Sequence, residues 1–411
     1  MVSIYPMIQW ENNEHKIPIK SWCADADQIT LEQAKNLANH PAVKDHVSLM
    51  PDAHAGFGMP IGGVIACENA VIPNAVGVDI GCGMSALETS LDAGRFTGMA
   101  HLRKIIEAIK RRIPVGEGKS YKEKIEWAGF EEWRSAAGGG VPPWWTEKGD
   151  GLDRRNLGTL GGGNHFIEIQ RSETGGVWVM LHSGSRNMGQ RIASYYHQEA
   201  KKLNGGMGIE LPDPDLAFIP ADHSLGAAYI RDMNHALSYA LENRRLMMQH
   251  IKEILAGFFP DITYSLEVAI HHNYAALEEH KGKAYWIHRK GATAAKKGEP
   301  GIIPGSMGTP SYLVEGLGNP ESFMSSSHGA GRKLSRTAAN KTLSLEACDA
   351  AMQGVVYDRF GFSRNRGKGG EKLRDLSEAP LAYKDIDAVI AAEEDLVTPK
   401  VKLTPLAVIK G

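Results

Sequence analysis

Cysteine is scarce in this chain, and the few cysteines it has show no regular spacing. The four cysteines, Cys23, Cys67, Cys82 and Cys348, include no pair spaced as C-x-x-C, which argues against a disulfide framework and a structural zinc knuckle. No apolar run reaches 18 residues, and residues 8–14 lack a signal-peptide pattern. We therefore expect a cytoplasmic protein without a membrane partner, in which at least one thiol is free for chemistry.

Internal repeats, low-complexity linkers and a strong net charge are also missing. The 411 residues carry a net charge of -2 at pH 7, which argues against wholesale polyanion binding but can hide a local basic groove. The mixture of strand and helix patterns, with polar residues in the loops between them, indicates an α+β fold. Because no linker divides the chain, we predict one domain over residues 1–411.

Two known motifs, one catalytic and one nucleotide-binding, are matched only in part. The pattern G-x-S-x-G is not satisfied around Gly305 and Ser306, so a hydrolase nucleophile elbow is not expected. The glycines of residues 157–163 lack the G-x-G-x-x-G order and the following helix of a dinucleotide site. Their more natural use is close approach of the backbone to a ligand, with Asn164, His165 and Glu168 at its rim.

The most informative stretch is residues 76–84, an apolar run that presents Asp79 and Cys82 among three glycines. Glycine permits a sharp turn, which would let the carboxylate and the thiol converge on one point. Such a pair suits a divalent transition metal. For an isolated D-x-x-C, a buried structural cysteine at a strand end is the commoner explanation.

Histidines at the ends of apolar strands favour a metal site over a buried structural cysteine. His165 adjoins a strand that begins near Phe166, His182 follows the strand of residues 177–181, and His272 follows the strand of residues 266–270. Together with Asp79 and Cys82 they offer more ligands than one tetrahedral ion needs. We therefore predict two ions, with the thiolate able to bridge them, an arrangement that commonly activates phosphoryl chemistry.

A further histidine, His328, lies among small residues in the segment Ser327-His328-Gly329-Ala330-Gly331. It has no necessary metal role, and its small neighbours would let a phosphate approach. A neutral imidazole can act as a covalent nucleophile and would form a phosphoramidate on phosphorus. Earlier in the chain, Asp52 and His54 are spaced to form either a local turn hydrogen bond or support for a metal site.

Three segments between these motifs have predictions of their own. The polar, glycine-rich residues 51–58, residues 136–151 and the basic residues 364–374 each indicate a loop. The helix of residues 102–113 and the lysines that follow it, together with Arg154 and Arg155, form a candidate track for a phosphate backbone.

At this point the chain resembles, from end to end, the RtcB family of GTP-dependent RNA-splicing ligases. The resemblance depends on long motifs in the right order: residues 50–54, 76–84, 161–168, 182–186, 271–273, 304–307, 327–332 and 382–385. It implies a two-manganese site in which Cys82 bridges. His182 and His272 would complete one ion, and Asp79 and His165 the other.

The resemblance also implies that GTP guanylylates His328 and that Arg186 and Arg332 lie near phosphates. The nucleotide contacts that it implies are Asn164, His165, Phe166, Ile167, Glu168, Asn273, Pro304, Gly305, Ser306, Met307, Ser311, Gly329, Ala330, Gly331 and Lys410.

The implied reaction joins an RNA 2′,3′-cyclic phosphate or 3′-phosphate to a 5′-hydroxyl, through a histidine-GMP and an RNA 3′-pp-5′-G intermediate, in tRNA splicing or RNA repair. An archease-type activating partner and a monomeric chain are further expectations from the family. Two alternatives remain open: a binuclear metal-dependent phosphohydrolase or cyclic phosphodiesterase, and a catalytically idle RNA-binding relative. By affinity alone a site with thiolate and imidazole ligands prefers Zn²⁺ to Mn²⁺, so manganese follows from the resemblance only.

Overall fold

A computed structural model describes residues 7–10, 15–137, 141–366 and 372–411 of the chain, with the backbone alone for 362–366 and 372–373. No helix among these residues is both long and apolar enough to cross a membrane. The predicted loop over 136–151 is partly wrong, since a helix begins at Glu147. The predicted loop over 364–374 is also partly wrong, since strands cover Phe362–Arg366 and Lys372–Arg374. Residues 138–140 of the first predicted loop and residues 367–371 of the second lie outside the described residues.

Helices and strands alternate irregularly along the chain. The helices are α1 (Gln28–Ala38), α2 (Pro73–Val76), α3 (Met99–Arg112), α4 (Ala128–Ala136), α5 (Glu147–Asn156), α6 (Asn187–Gly206), α7 (Ser224–Phe258), α8 (Arg336–Thr342), α9 (Leu345–Ala350) and α10 (Ile386–Ala392). The strands are β1 (Ile8–Trp10), β2 (Ile19–Ser21), β3 (Val43–Phe57), β4 (Met59–Cys67), β5 (Ala70–Val71), β6 (Gly83–Asp92), β7 (Phe166–Ser172), β8 (Gly176–Ser183), β9 (Ile219–Pro220), β10 (Tyr264–His271), β11 (Asn273–His280), β12 (Lys283–Lys290), β13 (Ala292–Ala294), β14 (Pro300–Ile303), β15 (Ser311–Gly316), β16 (Ser325–Ser327), β17 (Val356–Tyr357), β18 (Phe362–Arg366), β19 (Lys372–Arg374) and β20 (Val397–Lys410).

Two large sheets organise the protein. One has the order β1-β2-β3-β4-β12-β11, and the other runs β10-β6-β8-β7-β20-β15-β14, with β17 pairing β20. The second sheet curls until β10 approaches β14, so that it is nearly closed. Its main-path strands pair antiparallel with their neighbours. These mixed sheets and helices confirm the predicted α+β class.

The long helix α7 supports the eight-stranded sheet through its apolar face. Met247, Met248 and Ile251 pack in a core cluster with the strand residues Val179 and Leu181. These methionines of the helix are therefore core residues.

The prediction of a loop over residues 51–58 is wrong, because most of that segment is the end of β3. Its polar and glycine residues suggested a loop, but the strand is irregular there, with register shifts between Leu49 and His54 and between His54 and Phe57. Such bulges re-aim side chains. They accompany a buried Asp52 whose carboxylate hydrogen-bonds to a distant part of the chain.

Candidate functional site

The predicted metal ligands lie at one edge of the eight-stranded sheet. In the order of the strands across the sheet, His272 follows β10, Cys82 precedes β6, His182 lies near the end of β8, and His165 precedes β7. Because neighbouring strands run antiparallel, the end of one strand and the start of the next meet at the same edge. The alternation continues along the sheet, since Lys410 ends β20 and Ser311 begins β15.

The turn between α2 and β6 places Asp79 and Cys82 together, as the sequence predicted. The Cys82 backbone N–H donates to the Asp79 carbonyl at 3.0 Å. Gly81 has a φ of 77°, and a β-carbon there would lie 2.9 Å from that of Ala240, so the turn requires glycine. At Gly184 a β-carbon would lie 2.3 Å from an Asp79 carboxylate oxygen.

The five predicted ligands form one continuous cluster. The Cys82 Sγ lies 3.4 Å from His165 Nε2 and 3.2 Å from His182 Nε2. The remaining two are linked to these histidines: His272 Nε2 lies 3.3 Å from His182 Nε2, and Asp79 Oδ2 lies 3.2 Å from His165 Nε2. Cys82, His165 and His182 have donor atoms close enough together to hold one ion.

The protonation of these groups suits metal binding. Burial, and then nearby positive charge, lowers the pKa of His182 and of His272 well below the usual value, which keeps both imidazoles neutral. Burial opposes ionisation of Asp79, but the contact with His165 lowers the Asp79 pKa overall. Burial and the charge of Asp79 raise the pKa of the Cys82 thiol, and a bound cation would reverse this because it favours the thiolate.

The donor set therefore fits divalent metal ions. His165 Nδ1 lies 3.0 Å from the Leu160 carbonyl, and His182 Nδ1 lies 3.2 Å from the Asn164 carbonyl. The Asn164 carbonyl assigns a proton to Nδ1 of His182 and leaves its Nε2 lone pair pointing at the cluster. A thiol, a carboxylate and imidazole nitrogens that converge in this way suit a divalent transition metal.

Two buried polar residues of α7 support this edge of the sheet, and the helical pattern of the sequence did not single them out. The Arg244 guanidinium donates to the carbonyls of Gly81 at 3.0 Å and Ser183 at 2.9 Å. The Asn243 side-chain oxygen accepts the backbone N–H groups of Gly158 and Thr159. The apolar periodicity around them indicates a core helix, and only their charge and polarity hint at such a role.

His328 lies beside the cluster and is held by Asp52. Its Nδ1 is 2.6 Å from Asp52 Oδ2, and the same oxygen accepts the His328 backbone N–H at 3.1 Å. The His328 and His272 ring centroids are 4.9 Å apart. Of the two predicted roles for Asp52, the local hydrogen bond exists, but it joins His54 Nδ1 to the Asp52 carbonyl. The carboxylate serves His328 and has no hydrogen bond to the metal-ligand cluster in the described part of the chain.

His328 also lines a cavity of about 410 Å³, a size that suits a small organic ligand. Most of the predicted nucleotide contacts line it: Asn164, Phe166, Pro304, Gly305, Ser306, Met307, Gly329, Ala330, Gly331 and Lys410.

The other predicted nucleotide contacts lie behind this lining. Ile167 packs into the hydrophobic core. Asn273 braces the site by donating to the Asp79 carbonyl at 3.1 Å, and Ser311 Oγ accepts the Gly305 N–H at 3.3 Å. Glu168 is buried, which raises the pKa of its carboxyl to about 8. His165 faces the metal-ligand cluster.

Three cations and one carboxylate line the cavity wall near the end of β20. Glu378 lies 3.2 Å from Arg332 Nη1, 3.0 Å from Arg336 Nε and 3.3 Å from Lys410 Nζ. One carboxylate cannot neutralise three cations. This wall is therefore suited to the phosphates of a ligand. Arg186, the other predicted phosphate contact, instead lies beside the metal-ligand cluster, with Nη1 3.2 Å from His165 Nδ1.

Only some of the basic residues in the predicted phosphate-backbone track are available to bind a phosphate. Arg154 is buried and bonded to Glu126, Glu131 and Asp150, so it is unavailable to a phosphate. Arg103 and Lys110 pair with Asp358. Lys119, Lys122 and Lys124 are exposed, and they have no ion pair with a described residue.

The family model for the tRNA-splicing ligase RtcB matches residues 33–411. The chain belongs to the RtcB family. It is 38% identical to the RNA-splicing ligase RtcB of Escherichia coli K12, over 99% of this chain and 100% of the relative. It is 32% identical to the tRNA-splicing ligase RtcB of Pyrobaculum aerophilum, over 96% of this chain and 95% of the relative. The cavity and the Cys-His cluster described above are thus those of an RtcB-family RNA ligase.

Proposed function

We propose that this RtcB-family protein is a GTP-dependent RNA ligase that joins 3′-phosphate or 2′,3′-cyclic phosphate ends to 5′-hydroxyl ends. The observation that carries the proposal is the position of His328, which lines the cavity between Asp52 and the predicted metal ligand His272. Because Nδ1 faces Asp52, Nε2 is the nitrogen left to attack a phosphorus atom.

Two manganese ions are the metals that we propose for the site. Cys82 would be shared between them, with His182 and His272 on one ion and Asp79 and His165 on the other, as the family resemblance implies. Their closeness in the cluster supports this division. When bound, such ions supply Lewis-acid stabilisation of charge on phosphoryl oxygens.

The chain's own residues account for the nucleotide chemistry that we propose. His328 Nε2 attacks the α-phosphorus of GTP, the bond to the β-phosphate oxygen breaks, and pyrophosphate leaves. Asp52 holds Nδ1–H throughout, which keeps Nε2 directed at the nucleotide and stabilises the ring when it gains positive charge. Arg332, Arg336 and Lys410 line the same cavity and would orient the phosphates.

The later steps use the RNA ends. A cyclic phosphate is first hydrolysed to a 3′-phosphate, one of whose oxygens attacks the GMP phosphorus and releases His328. The 5′-hydroxyl of the second strand then attacks the 3′-terminal phosphorus, and GMP leaves. We further propose that residues 1–411 act as one domain, as a cytoplasmic monomer in tRNA splicing or RNA repair, with an archease-type protein as activator.

Covalent labelling by GTP tests the proposal most directly. Full-length protein is incubated with Mn²⁺ and α-labelled GTP, and then separated under denaturing conditions. We expect an acid-labile GMP label, because a phosphoramidate is stable to denaturation but not to acid. If no label forms with Mn²⁺, Zn²⁺ or Co²⁺, while the protein releases phosphate from RNA ends, a metal-dependent phosphohydrolase is the better description.

Replacing Asp52 by Asn should slow guanylylation. The amide offers an NH₂ or a neutral oxygen in place of the charged acceptor at 2.6 Å from His328 Nδ1, so the preferred tautomer and the stabilisation of the charged ring are lost. We expect the rate of GMP labelling to fall by about 10²- to 10⁴-fold. Bound metal should stay at the wild-type level, because the Asp52 carboxylate does not reach the metal-ligand cluster. The exposed Asp261→Asn variant is the control, and equal labelling by both variants would refute the role of Asp52.

A further inference from the structure

Two buried carboxyl groups hold the backbone at the proposed nucleophile. The Ser327 N–H donates to Glu393 Oε2 at 2.8 Å, and the next N–H, that of His328, donates to Asp52 Oδ2 at 3.1 Å. Glu393 follows α10, whereas Asp52 belongs to β3. Both residues are fully buried. Consecutive amides are thus fixed by acidic side chains from two separate elements.

The same region contains three oxygen atoms that lack partners. Asp52 Oδ1, Ser327 Oγ and Glu393 Oε1 are all buried, and none has a hydrogen-bond partner in the described part of the chain. Buried polar atoms are normally hydrogen-bonded. If both carboxyls were ionised, the Ser327 hydroxyl would be the only donor among these three groups. A proton on either carboxyl adds a second donor.

The surroundings decide which carboxyl holds that proton. Burial raises the pKa of Glu393 well above its usual value, and the charge of Asp52 adds to this effect. The hydrogen bond from the Ser327 backbone N–H lowers this pKa in part. Two carboxylates in one buried region do not both ionise readily. Asp52 accepts two N–H donors from His328, whereas Glu393 accepts one from Ser327. Burial and the smaller number of N–H donors both favour Glu393 as the carboxyl that holds the proton.

We infer that Glu393 is a neutral acid that positions the His328 nucleophile. Through Ser327 it fixes the backbone that carries the imidazole, and by staying uncharged it leaves Asp52 as the single anion facing Nδ1. The inference rests on the proposed guanylylation of His328. Since Glu393 does not line the nucleotide cavity, its loss should slow the transfer of GMP and leave the binding of GTP unaltered.

Single-turnover GMP labelling of the full chain, with Mn²⁺ and a range of GTP concentrations, tests this. Glu393→Gln keeps an oxygen for the Ser327 N–H, supplies N–H donors and is uncharged, so its maximal rate should stay within a few-fold of wild type. Glu393→Ala leaves the Ser327 N–H unpaired and the backbone free to shift, which should lower the maximal rate by about 100-fold. The GTP concentration for half-maximal labelling should stay the same in both variants. The exposed neighbour Glu394, changed to Ala, is the matched control.

Each of the other outcomes contradicts a specific part of the inference about Glu393. A Glu393→Gln variant as slow as Glu393→Ala would show that the charge of Glu393 is required, and a Glu393→Ala variant at the wild-type rate would show that it positions nothing. If thermal melting shows that Glu393→Ala does not fold, Glu393→Asp takes its place. Its carboxyl is one methylene short of Ser327, so labelling as fast as that of Glu393→Gln would overturn the inference. Failure of the wild-type protein to label would instead refute the proposed function.

Discussion

His328→Ala is expected to carry no GMP label and to join no RNA that ends in a 3′-phosphate or cyclic phosphate. Its imidazole is the only group at the cavity wall that is paired with a buried carboxylate through Nδ1, among the described residues. Removing a covalent nucleophile should lower ligation by on the order of 10⁴-fold or more. The measurement is gel-based joining of labelled RNA, together with GMP labelling of the protein.

A preactivated RNA provides the internal control for this variant. His328 has no part in the last proposed step, in which the 5′-hydroxyl displaces GMP from an RNA that already ends in 3′-pp-5′-G. The His328→Ala protein should therefore still seal such an RNA, which shows that the fold and the metal site are intact. Wild-type labelling of His328→Ala would mean that another residue is the nucleophile, and replacement of the half-buried His101, which does not line the cavity, should have no effect.

Cys82→Ser is expected to lose metal as well as activity. The Cys82 Sγ lies 3.4 Å from His165 Nε2 and 3.2 Å from His182 Nε2, and a hydroxyl is a far weaker ligand than a thiolate at neutral pH. Removing a mere partner of a metal-ligating group costs about 10- to 100-fold in affinity. The loss of the ligand itself should exceed that, with a matching loss of ligation.

Metal content per chain after equilibration with Mn²⁺ measures this effect, and Co²⁺ substitution gives a second measurement. The wild-type protein should show a sulfur-to-cobalt charge-transfer band that Cys82→Ser lacks. Cys67→Ala is the matched control, because Cys67 is equally buried but packs in the core next to α1 and β3. Wild-type metal content in Cys82→Ser would exclude the thiol as a ligand.

Local sequence predicted the strands and their ends well where the residues are apolar. The strands next to His165, His182 and His272 lie where the hydrophobic runs place them. The prediction failed for residues 51–58, where polar side chains in a bulged strand are buried against partners far along the chain. The strand β20, which carries Lys410, was not predicted. Its 14 residues include Pro399 and Pro405, and proline inside a segment argues against a strand there.

The sequence by itself determined which chemical groups are available: a thiol, a carboxylate and histidines at strand ends, and a histidine among small residues. Only the tertiary structure decided which of them meet. Antiparallel order across the sheet brings residues from Asp79 to His272 to one edge, and the bond from Asp52 to His328 spans 276 positions. Strand order and such distant pairs depend on the packing of the whole chain, because local periodicity specifies which face a side chain takes but not its neighbour.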